Sequence, residues 1–266
     1  MSKPLFSPKS VFWRVNRELV CNFAAPRAVL MQIAHPLVAA GVAEHSNFRT
    51  HRFARLYRTA MAATAITFGS RDFALRAIRT INQKHQRVHG VLKQQQGMFP
   101  QGTPYDANDP ELKLWVLSTI LDSTLLVYDM FVSRLSLEDR RRYYADNMKV
   151  GELFGVPESI TPPTYDDFLI YFDRMMDSGA IRVSRQAQEV YDALFERTPV
   201  GLLLFAGSAP SIELLPRRLR TEFGFSWKLR PHSFLESIPS ACRRLRRFTP
   251  SILCANPAAT LSELLL

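Results

Sequence analysis

The run Pro26-Arg27-Ala28-Val29-Leu30-Met31-Gln32-Ile33-Ala34-His35-Pro36-Leu37-Val38-Ala39-Ala40-Gly41 is apolar on nearly every side of a helical wheel. A helix of that kind belongs in a protein core. Pro26 suits a first helical turn. Pro36 has no N–H to donate, so it is expected to kink the helix or end it near His35. The uncharged run 28–43 falls short of the ~20 residues that cross a bilayer. The first ten residues carry Pro4 and Pro8 and no apolar stretch, unlike a signal peptide. These features predict a soluble or at most peripheral protein.

Outward from this stretch the periodicity stays helical. Helices are expected over 10–23 (Phe12, Val15, Leu19 and Val20 on one side), 52–68 (Phe53, Leu56, Ala60 and Met61) and 72–95, the last after a turn with Ser70 as N-cap. Further helices are expected over 111–133, 137–154, 165–178 and 184–197. Ser136 and Asp139 resemble a capping box at the start of the 137–154 helix. Residues 97–109 and 157–163 read as loops, and 249–266, with Pro250 and Pro257, as an irregular tail. No Asn-Gly hairpin dipeptide and no solenoid-length repeat occurs. The expected fold is all-α: one multi-helix domain over 1–266 with a buried apolar pocket.

Composition narrows the function classes. Of 266 residues 47% are hydrophobic and 22% charged, which excludes a disordered chain. Lys and Arg exceed Asp and Glu by 34 to 24, a net charge of +10. That balance admits nucleic acid, an anionic membrane or an anionic cofactor. Nucleic acid is disfavoured because no aromatics interleave with the basic runs. Arg243, Arg244, Arg246 and Arg247 could meet anionic lipid or simply be solvated. Cys21, Cys242 and Cys254 form no CxxC pair, which argues against a disulfide framework and for a cytoplasmic protein.

Five of the six histidines lie between positions 35 and 89. His85 and His89 are four apart and would share a helix face. The Glu of a zinc-protease helix is absent from His85-Gln86-Arg87-Val88-His89. The pair reads either as surface histidines or as a source of an axial haem ligand. His51, Arg55 and Thr59 form a second stripe with Arg58 beside it, read either as a solvated basic face or as an anion-binding one. His35 reads as a hydrogen-bonded core residue or a ligand, and His45 as a loop or cap residue. No phosphate loop, GxSxG elbow or GxGxxG turn is present.

Taken in order, the 26–42 stretch, Arg55-Leu56-Tyr57-Arg58-Thr59, His85-Gln86-Arg87-Val88-His89-Gly90 and Tyr105-Asp106-Ala107-Asn108-Asp109-Pro110-Glu111-Leu112-Lys113-Leu114-Trp115-Val116 resemble the MpaB-like and rubber-oxygenase-like (latex-clearing-protein-like) family, mainly over 11–180. The resemblance implies an all-helical oxygenase that binds haem b and uses dioxygen to cleave carbon–carbon double bonds of isoprenoid substrates. It implies that His85 is the proximal haem ligand and holds the iron. Arg55 and Thr59, with Arg58 adjacent, match the distal pair. His89, His35 and His51 are further cofactor-side candidates. His89 and Leu117 depart from the residues common at those places, Arg and His. Those departures keep open a second reading, a non-catalytic lipid- or isoprenoid-binding protein peripheral to a membrane.

Overall fold

Pro36 bends the chain as expected. In the computed structural model, which describes residues 3–45, 52–194, 209–225, 240–246 and 248–266, the helical segment Leu19–Ile33, which ends in α2 (Ala24–Ile33), meets α3 (Pro36–His45) at 101°. Pro36 cannot donate to the preceding turn. The next free N–H, that of Leu37, finds the His35 ring nitrogen Nδ1 at 3.3 Å. The corner is therefore stitched by the residue that precedes the proline.

Helix α2 lies along α6 (Pro110–Phe131). Asp109 caps α6, its Oδ1 accepting from Glu111 N at 2.8 Å, with Pro110 in the first turn. Trp115 and Leu121 on α6 are fully buried. Arg27 of α2 is almost wholly buried and anchors this contact. Its guanidinium reaches Asp122 and Ser123, each at 2.6 Å, and the Leu214 carbonyl at 2.9 Å. Among the described helices α6 alone is long and apolar enough to cross a membrane, and 61% of its apolar window is buried inside the protein. One cluster of buried side chains runs from Phe6 to Phe223 and takes in α7 (Leu137–Leu153), α8 (Tyr165–Asp177) and α9 (Arg185–Leu194). The fold is all-α apart from one small sheet.

Helices α4 (Arg52–Phe68) and α5 (Arg71–His85) form an antiparallel pair around Gly69 and Ser70. Ser70 caps α5 by accepting from Phe73 N at 3.4 Å. Trp13 of α1 (Val11–Asn16) holds this turn from below, edge-on to Phe68 at 5.0 Å.

Three expectations need correction. The helix over 10–23 is split into α1 and a 3-10 turn, Leu19–Phe23. Glu18 is drawn out extended between them to pair with Ala255 and to take the Arg246 guanidinium at 2.8 and 3.1 Å. The helix over 72–95 ends at His85. The chain turns there, and strand β1 (His89–Val91) pairs antiparallel with β2 (Pro104–Asp106), Gly90 opposite Tyr105. Ladder pairing and the close seat of Tyr105 against Gly90 outweigh the helical pattern that continues in the sequence. The 249–266 segment is ordered: after α10 (Arg217–Glu222) come α11 (Ser251–Cys254) and α12 (Pro257–Leu264). Asn256 caps α12, and Glu263 accepts from Trp13 Nε1 at 2.7 Å and pairs with Arg17 at 3.0 Å. Burial of Ala259 against Trp13 and Phe68 supplies the driving force for that docking.

Part of the basic run near the C-terminus bonds within the fold. Arg243 donates to the Met130 carbonyl and Arg246 is held by Glu18, so both are engaged within the fold. Arg244 is exposed, and Arg247 lies outside the described residues.

Candidate functional site

The end of α5 opens onto two adjoining spaces. An inner cavity of about 350 Å³ lies between α3, α5 and α6, walled chiefly by Leu37, Val38, Val42, Val88, Leu112 and Val116. A wider cleft of about 1130 Å³ separates the α4–α5 pair from α1 and α7. Tyr57, Arg58, Thr59 and Met61 line one side of it, and Asn16, Tyr143 and Asn147 the other. His45, Ile81, His85, Leu117, Ile120 and Phe154 line both spaces, so the two meet there. The inner cavity falls in the range of ~300–1,000 Å³ found for ligand sites.

His85 is half-buried, and its Nδ1 is buried with no hydrogen-bond partner. Burial pushes its pKa down, the Lys113 ammonium adds to this, and the Asp106 carboxylate opposes it. The ring is therefore neutral near pH 7 and carries a lone pair, the state a metal ligand requires. An orphaned imidazole nitrogen beside an apolar cavity fits a group that brings its own metal. Among the described residues no three His, Cys, Asp or Glu side chains are placed to hold an ion by themselves. A porphyrin brings most of its iron's ligands and would ask a single imidazole, such as that of His85, of the protein. Haem therefore fits the residues present better than a bare metal ion does.

Lys113 faces the inner cavity with Nζ donating to the Phe154 carbonyl at 2.9 Å, and burial lowers its pKa. Leu117 sits where the two spaces meet, opposite Gly151; a Cβ at Gly151 would stand 3.2 Å from its Cδ1. That glycine lets α7 approach α6 closely at this point.

The candidates separate cleanly. Arg58 and Thr59 stand exposed on α4 and line the cleft that His85 also lines. Arg55 lies on α4 one turn before Thr59. Its side chain, and His51 altogether, lie outside the described residues. His89 is exposed on β1 and shares no helix face with His85, because α5 has ended. His35 lines neither space. It is 5% exposed, bonded to Leu37 N and set against Phe99 at 5.3 Å between ring centroids. Burial lowers its pKa to about 4, with Asp109 opposing. It sits at the α2–α3 corner as a neutral ring, and the structure does not bring it to either cavity.

His45 is the residue that sequence reasoning passed over. It ends α3 and lines both spaces, and its Nε2 lies 3.1 Å from the Tyr105 hydroxyl, 60 positions away in the chain. Nothing in Glu44-His45-Ser46 signals this, since only the β1–β2 pairing brings Tyr105 beside α3.

Two uncharacterized proteins, one of Mycobacterium bovis and one of Mycobacterium tuberculosis, are each 26% identical to the chain over 153 residues, 56% of its length. The chain spans 57% of the length of these curated relatives. No solved structure matches it. Residues 13–249 match the family described as "ER-bound oxygenase mpaB/B'/Rubber oxygenase, catalytic domain", a longer span than the motifs alone suggest. The chain belongs to that family of oxygenase catalytic domains.

Proposed function

We propose that the protein is a haem b-dependent oxygenase that uses dioxygen on an apolar, unsaturated, isoprenoid-like substrate, with oxidative cleavage of a carbon–carbon double bond as the reaction. One observation carries the reading: in a chain of an oxygenase family, the His85 ring is neutral, lines an apolar cavity and has a buried nitrogen with no partner. His85 would hold the haem iron. Haem, when bound, supplies the dioxygen chemistry that side chains lack.

The chain's own residues supply the surroundings. Val38, Val42, Val116 and Leu117 exclude water and favour a hydrocarbon by ~0.8 kcal/mol for each CH₂ buried. Arg58 and Thr59 offer hydrogen-bond donors to the cleft, suited to an anionic or partly negative oxygen. Arg55, one turn away on the same helix, is assigned to the same task on the strength of the family motif.

The test is the absorption spectrum of protein produced with haem supply. A Soret band is expected, with at least tenfold less haem retained by His85→Ala at unchanged helical content. Protein that neither retains nor takes up haem overturns the reading. A second reading, a non-catalytic lipid-binding protein at a membrane surface, is favoured by one observation. Leu245, Phe248, Ile252 and Leu253 stand exposed near the C-terminus, Phe248 by 86%. Oxygen uptake that depends on Thr59 decides against it.

A further inference from the structure

We propose that His45 is a specificity-determining residue of the site, a hydrogen-bond acceptor that receives a single hydroxyl group on an otherwise apolar ligand. The proposal deepens the reading above by naming the ligand's polar end. It rests on that reading's assignment of the cavities to an apolar ligand, and not on haem.

Three observations converge on His45. The first is position: its ring lines the inner cavity and the cleft where they meet, in a wall that is otherwise largely aliphatic. The second is orientation. Tyr105, 4% exposed, holds Nε2 at 3.1 Å. Tyr105 is itself seated in a slot made by two glycines. A Cβ at Gly90 would lie 2.6 Å from its hydroxyl, and one at Gly41 would lie 3.9 Å from its ring. So close a seat leaves the hydroxyl little freedom to turn away from His45.

The third is proton placement. Burial and the neighbouring Glu44 carboxylate push the Tyr105 pKa up to about 12, so Tyr105 keeps its proton. Glu44 is itself fixed, by Lys93 at 3.2 Å and Gln186 at 3.2 Å. A phenol has one proton to donate, and a carboxylate is the stronger acceptor. The Tyr105 oxygen is then left to accept from His45 Nε2–H. With the proton on Nε2 directed to Tyr105, Nδ1 is the ring nitrogen that can accept. Among the described residues no partner stands at Nδ1.

Of the other polar groups of the inner cavity, His85 is assigned to the iron in the reading above, and Gln32 and Lys113 are engaged within the fold. Gln32 donates to the Thr119 hydroxyl at 3.1 Å and Lys113 to the Phe154 carbonyl at 2.9 Å. An acceptor in an apolar wall selects a donor, so an alcohol is favoured over a carbonyl or hydrocarbon of equal length. One neutral hydrogen bond is worth about three- to tenfold in affinity.

The test is displacement of Nile red from the purified full chain by 1-decanol, decanal, 1-decene and decanoate, in the wild type and in His45→Phe and Tyr105→Phe. His45→Phe keeps the ring's bulk, and circular dichroism checks that each variant folds. The expected result is a decanol-to-decanal preference of about three- to tenfold that disappears in His45→Phe and shrinks in Tyr105→Phe. A preference equal in all three proteins overturns the proposal. So does a preference for decanoate that Lys113→Met abolishes, which would assign the polar end to Lys113. Displacement by none of the four overturns both the cavity assignment and this proposal. A preference that follows His45 in protein lacking haem upholds the proposal while the haem reading fails. Haem retention without such a preference does the reverse.

Discussion

The two walls of the site are built differently. The wall of α2, α3 and α6 belongs to the core: Leu30, Met31, Ala39 and Trp115 are fully buried, and the buried Arg27 joins its helices. The wall of α4 carries exposed side chains toward the cleft, Tyr57 by 66% and Met61 by 46%. The first wall can hold a geometry, and the second leaves the cleft open to solvent. A rigid half and an accessible half let one site position a fixed group yet admit a bulky apolar molecule.

The contrast can be broken by mutation. Trp115 packs against Phe172 with ring centroids 5.6 Å apart. Trp115→Ala is expected to destabilise the protein by ~3–5 kcal/mol in urea unfolding. A loss below ~1 kcal/mol would mean that this wall is not the rigid one.

His35 tests the corner of the same wall through pH. Its folded pKa of about 4 lies below the ordinary 6.5 of histidine, so the folded protein binds fewer protons than the unfolded chain in that window. The stability of the neutral ring is fully present above pH 6.5 and is lost as pH falls toward 4, up to on the order of 3 kcal/mol. His35→Gln should flatten this part of the pH dependence of unfolding. Equal slopes in both proteins would remove His35 as the source.

The smallest effect belongs to the open wall. Tyr57→Ala, on the exposed face of α4, should shift the unfolding free energy by less than ~0.5 kcal/mol. A loss of several kcal/mol would show that α4 is as tightly held as α6.

Much of this was legible along the chain. Pro36 announces the bend because a missing N–H is a local fact. The bounds of α4 and the Ser70 and Ser136 caps follow from periodicity and capping chemistry alone. Misreadings came where distant partners override local pattern. The helix signal runs on past His85, but Tyr105 pairs with Gly90 and draws the chain into a strand. Asn256-Pro257 is an N-cap followed by a proline in the first turn, so the proline that suggests an irregular tail in fact starts a helix. Its helix is held by Trp13, far away in sequence.

The site divides in the same way. Spacing along the chain left His85 and the stripe of Arg55, Arg58 and Thr59 with two readings each, and only the family resemblance gave them roles in a site. Sequence alone determined the apolar stretches that must be buried. Tertiary structure decided that His85 faces a cavity while His89 does not, that His35 serves the corner, and that His45 joins the wall through Tyr105. Those outcomes depend on contacts between residues tens of positions apart, and hydrophobic burial, being non-directional, specifies that such contacts form without specifying which.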